Sequence, residues 1–172
     1  MAFVPTAAFA GCQPIHTTST TQAHPIGTRV RAADPYYGEA TFVYMPGVAS
    51  TALGDACILD SWNKTTARAV TSSAAIGSIG IAMSANVASQ YGWYLVEGAA
   101  LCNGLTSCAV GKLYISGTAG SLDDGVIAHN HVFGANCTLR EGNNASYAGT
   151  GKIVAQLSFP TCDNLGSALS TL

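Results

Sequence analysis

Charge is what this sequence has least of. Only 9% of its 172 residues are Asp, Glu, Lys or Arg, against roughly 25% in ordinary soluble domains. Seven basic residues set against nine acidic ones leave a net charge of -2 and no basic run. Nucleic acids and anionic membranes both attract basic patches, so neither is expected as a partner. Long apolar runs are missing too. No stretch reaches the ~18 residues that a membrane-crossing helix needs. The first 23 residues hold no Lys or Arg, so the basic start of a secretory signal is absent and none is expected.

The motifs of catalysis are missing as well. There is no Gly-x-Ser-x-Gly, no His-Glu-x-x-His, no Cys-x-x-Cys and no phosphate-cradling Gly loop ahead of a helix. The acids Asp55, Asp60, Glu97 and Glu141 are scattered rather than paired. His129-Asn130-His131 puts two imidazoles on one strand face, yet no further ligand spacing supports a metal there. It reads as a polar loop feeding a strand. Asp123-Asp124-Gly125 reads as a tight turn, the commoner use of Asp-Gly, rather than as a calcium site. The expectation is no enzyme, no metal and no cofactor.

What is present is small and apolar. Hydrophobic residues make up 48%, with 19 glycines. Short apolar runs recur between turn residues: Thr41 to Met45, Asp55 to Leu59, Thr66 to Val70, Val110 to Ser116, Val126 to Ala128, His131 to Leu139 and Lys152 to Phe159. Pro160 is expected to end the last of these, with Ile153, Ala155, Leu157 and Phe159 on one face. About nine such strands predict an all-β barrel, tulip-like or sandwich domain. Gly80 to Gly98 is its centre. Two apolar runs flank a small polar segment, and the second, Tyr91 to Val96, is apolar on both faces. A strand of that kind is covered on both sides, here by core and by a neighbouring subunit. Tyr91, Trp93 and Tyr94 are therefore the expected core and subunit-interface residues.

Three parts follow: residues 1–27 as an extended N-terminal arm, 28–160 as the β domain, and 161–172 as a C-terminal tail. The arm carries Pro5, Pro14 and Pro25, a Thr/Ser run and no Lys, Arg, Asp or Glu. Phe3, Val4, Phe9 and Ile15 suit it to lying on a partner. Six cysteines are spread along the chain. Cys102 and Cys108 flank a short Asn-Gly-containing loop and can close it as a disulfide; the alternative is that free thiols serve as small buried hydrophobes.

Segment order adds a resemblance. HPIGTRVRAADPYYGEATFVYMPGVASTALGDACIL (His24 to Leu59), GIAMSANVASQYGWYLVEG (Gly80 to Gly98) and GKLYISGTAGSLDDGV (Gly111 to Val126) together resemble the capsid decoration, or cement, proteins of tailed bacteriophages. The resemblance implies a β-barrel or tulip-like protein on the outer capsid surface of the virion. It also implies a homotrimer whose N-terminal arm touches the major capsid protein. The alternative is a receptor- or glycan-binding head-fibre or tail module using exposed aromatics such as Trp62 and Tyr36.

Overall fold

The computed structural model describes residues 4–5, 11–71, 76–106, 108–125, 130–139 and 151–162. They form an all-β domain with eleven strands among the described residues. In order these are β1 (Val4–Pro5), β2 (Arg29–Asp34), β3 (Gly38–Pro46), β4 (Ala56–Asp60), β5 (Thr65–Arg68) and β6 (Gly77–Ala82). They continue with β7 (Tyr91–Asn103), β8 (Gly111–Ile115), β9 (Leu122–Asp123), β10 (His131–Leu139) and β11 (Lys152–Cys162). The short run Val126 to Ala128 lies outside the described residues.

The Gly80 to Gly98 centre holds, and β7 is its backbone. It runs for 13 residues and crosses Gly98 at a φ of 107°, a region glycine enters without a Cβ penalty. One edge of β7 pairs with β3, from Pro46 opposite Tyr91 to Thr41 opposite Glu97. The other edge is shared. Tyr94 and Leu95 pair with β6, while Glu97 to Asn103 pair with β11. The sheet forks at that point. One branch runs β6, β4, β5 and the other β11, β10, β8, β9.

The forked sheet does not close into a barrel. β1 and β9 stand at opposite ends of the strand order and do not pair; the result is sandwich-like. Beyond the short β6–β11 pairing, the branches are stitched by loop hydrogen bonds. Ala56 N donates to Gly120 O at 2.8 Å, Gly120 N to Ala69 O at 2.7 Å, and Thr71 N to Ser116 O at 3.0 Å.

Two sequence expectations change at the fork. Pro160 does not end β11, which continues to Cys162. β11 exchanges its partner there, from Ser158 opposite Glu97 to Thr161 opposite Ser78. A proline, lacking an N–H, costs little where no ladder bond is being made. Phe159 also leaves the buried face of Ile153, Ala155 and Leu157. Its φ of 45° breaks the alternation, and the ring is 46% exposed.

The apolar face pattern explains the layers. Phe42, Tyr44, Ile81, Trp93 and Leu95 point into the main core. Val43, Met45, Tyr94 and Val96 alternate with them and fill a second, smaller cluster with Cys57, Leu59 and Ala82. The outer face of β7 is thus packed against the chain's own β4 residues and the 84–90 loop. Asn86 of that loop is fully buried and donates to Tyr94 Oη at 3.0 Å and to Met45 O at 3.3 Å. Gly47 lets the loop in: a Cβ there would collide with the carbonyl oxygens of Asn86 and Val87. Gly47→Ala is expected to lower stability by about 1–3 kcal/mol, read as a reduced urea midpoint at unchanged slope.

Candidate functional site

The arm does not stay free along its whole length. From Gly11 onward it returns over the mouth of the main core. Gln13 is the hinge of that return. Its carbonyl accepts from Trp93 Nε1 at 2.9 Å, its N–H donates to His24 Nε2 at 3.1 Å, and its Oε1 accepts from Tyr44 Oη at 3.1 Å. Ser19 bridges to Tyr91, with backbone bonds of 2.8 and 3.1 Å. The rings of His24 and Trp93 lie 5.0 and 5.0 Å from that of Tyr44, and Tyr91 stacks on its other side at 6.2 Å.

Each expected site residue now has a place. Ile15 was expected on a partner; it is buried in this chain's own core, because the Gln13 bonds carry it there. Val4 is 64% exposed in β1, at the free edge of the sheet opposite Ala33. Phe3 and Phe9 lie outside the described residues. Trp93 and Tyr94 are fully buried on opposite faces of β7, and Tyr91 is half-buried. Cys102 and Cys108 are buried thiols. Trp62 caps the β4–β5 hairpin and is 90% exposed; Asp60 Oδ1 accepts from Trp62 N at 3.1 Å and Asn63 N at 2.9 Å. Tyr36, 59% exposed, sits on the β2–β3 turn, where Asp34 Oδ1 accepts from its N–H at 2.8 Å. The two aromatics are not brought together. The Trp62 hairpin reaches the start of β2 through Ser61 beside Arg29, and Tyr36 follows the end of β2, roughly 20 Å along the strand.

The surface feature that the sequence did not signal is at the fork. Val43, Met45, Leu59 and Val96 floor a groove of about 100 Å3. Arg29 and Phe159 form its rim, the guanidinium 5.3 Å from the ring centroid in cation–π contact. Beside it lies a more polar hollow of about 250 Å3. There Arg31 pairs with Glu39 at 3.7 Å and Thr41 Oγ1 donates to Glu97 at 2.7 Å. Only the strand exchange at Phe159 makes this fork, so no local pattern announces it.

The ionisable groups that are strongly shifted serve packing. Burial, then the Asp55 charge, push the Cys57 thiol from 9.0 up to about 12, against a lowering by Arg68. Burial likewise raises Tyr94. A group whose folded value is raised holds its proton more tightly in the folded state. Its contribution is complete below pH 9.0 and lost as pH rises towards about 12. Under reducing conditions the urea midpoint is expected to be flat up to about pH 9 and then to fall, and Cys57→Ala to remove part of that fall.

No protein-family model, curated protein or solved structure matches this chain. Among the described residues no helix is long and apolar enough to cross a membrane.

Proposed function

We propose that this chain is a structural virion protein that binds the outer surface of a tailed-phage capsid and stabilises the head. The observation that carries the reading is the placement of β1. Among the described residues the N-terminal strand is the last on its side of the sheet, beside Ala32 and Ala33 of β2, with Val4 exposed. An open edge strand is a template for pairing with another chain. Residues 1–10, with Phe3, Val4 and Phe9, are the part of the arm offered to the major capsid protein, while 11–27 anchor it.

The surface fits that role. Nine large hydrophobic side chains are exposed among the described residues, Trp62 and Tyr36 included, on a chain only 9% charged. Apolar contact is worth about 25 cal/mol per Å2 gross. Association costs remove most of that for one copy, and many copies on one shell act together. A homotrimer at a three-fold position follows from the resemblance, and sedimentation of the purified protein is expected to show it.

Deleting residues 1–10 is expected to leave the domain folded and to reduce occupancy on expanded heads roughly tenfold or more. Normal decoration by the truncated protein rejects the arm. A deletion through residue 23 is a poor test, since it removes Gln13 and Ile15 and with them part of the core. The isolated exposure of Trp62 favours a second reading, a glycan-binding module. Glycan-array binding lost in Trp62→Ala supports it; no binding by the intact protein rejects it.

A further inference from the structure

A cluster of thiols and carboxylates lies at the far end of the second branch, apart from the fork and the arm. Cys108 belongs to the β7–β8 connection, held by its N–H to Leu105 O at 3.0 Å. Cys137 lies in β10 opposite Gly111 and Ala155. Asp123 closes β9 and Asp124 follows it. The Cys137 thiol lies close enough to Cys108 to interact with it. The Cys108 sulfur and one carboxylate oxygen from each of Asp123 and Asp124 all fall within 4.8 Å of one another. Three separate segments of sequence converge here.

The cluster is electrostatically unfavourable as it stands. Asp123 Oδ1 is sealed from solvent and accepts no hydrogen bond among the described residues. Neither carboxylate has a Lys or Arg within ion-pair distance among those residues. A buried acceptor without a donor costs roughly 1–3 kcal/mol, and a cation would remove both the orphan and the repulsion.

We propose that Cys108, Cys137, Asp123 and Asp124 form a binding site for a thiophilic divalent cation of the zinc class. Two sulfurs and two carboxylate oxygens make a four-coordinate set that zinc accepts. Thiolate ligands disfavour calcium and magnesium, which take oxygen ligands. Zinc bonds of about 2.0–2.3 Å place tetrahedral ligand atoms roughly 3.3–3.8 Å apart, so Cys108, Asp123 and Asp124 draw together from within 4.8 Å and Cys137 moves in to complete the set. Binding converts two thiols to thiolates and releases two protons to solvent, with no change of oxidation state. The half-buried carboxylates provide the entry path. The ion would clip the β7–β8 connection to β9 and β10.

The test is cobalt and zinc titration of the reduced full-length protein. One equivalent of cobalt is expected to give a thiolate-to-cobalt charge-transfer band and tetrahedral visible bands, bleached by zinc. Calorimetry in buffers of different ionisation heat should show about two protons released per zinc. Cys137→Ser and the half-buried Asp124→Asn should each weaken cobalt about tenfold or more. Cys57→Ala, in the other branch, should not. Absence of the charge-transfer band overturns the site. So does equal weakening by Cys57→Ala, or a Cys108–Cys137 disulfide whose reduction yields no cobalt uptake.

Discussion

Trp93→Ala is expected to lower the stability of the folded chain by about 3–5 kcal/mol. The indole is fully buried, so truncation removes its apolar area and leaves a cavity that β7, paired on both edges, cannot collapse to fill. It also removes the N–H that holds Gln13 O. Gln13 then loses one of the bonds that dock the return segment, and Ile15 and His24 lose part of their cover. The effect should be global: a large drop in urea midpoint, with faster proteolysis within residues 11–24. Trp93→Phe fills most of the space without the N–H and should cost clearly less. A Trp93→Ala protein of unchanged stability would refute the docking described for this segment.

Asp55→Ala is expected to cost a similar amount, about 3–5 kcal/mol, because it breaks a buried ion pair from one side. Asp55 is 2% exposed. Its Oδ2 accepts from Arg68 Nε at 2.8 Å and from Ala52 N at 2.9 Å, and its Oδ1 from Asn103 Nδ2 at 2.7 Å. Arg68 reaches on to Ala119 O at 2.7 Å, while Asn103 also meets Lys152. One carboxylate thus ties β4 and β5 to β7 and to the 117–121 loop, the seam where the branches lack a ladder. Gly120, at a φ of 82°, leaves room for it. The double variant Asp55→Ala/Arg68→Ala should cost less than the sum of the single ones, by about 0.5–3 kcal/mol. Simple additivity in denaturation would show that the pair does not couple.

Strand positions were legible because their signal is local. Thr41 to Met45 and Tyr91 to Val96 are apolar runs between turn residues that lie within strands, and Asp55 to Leu59 differs from β4 by one residue at each end. Asn63-Lys64 between the apolar runs has turn composition, and Lys64 takes a φ of 57° there. The arm was legible only in part. Its prolines and lack of charge predict an extended arm, whereas residues 11–27 run through turns and bends over this chain's own core, a receiving surface that composition does not name. Gln13 is an ordinary polar residue in sequence; three partners from 11 to 80 positions away make it the anchor. Asp55 likewise looked like any scattered acid.

The composition and run lengths of this chain determined an all-β domain with β7 at its centre and little charge to spend on solvent or polyanions. Those properties depend on residues close together in sequence, through alternation, turn chemistry and burial of apolar side chains. The tertiary structure alone decided that the sheet forks instead of closing and that the outer face of β7 is covered from within. It also decided that Ile15 serves the core and that Cys108, Asp123 and Asp124 meet. Each of those depends on which distant strand takes the free edge of another. β11 settles it at Phe159 and Pro160, where it leaves β7 for β6, and hydrogen-bond partners so far apart leave no mark on the local pattern.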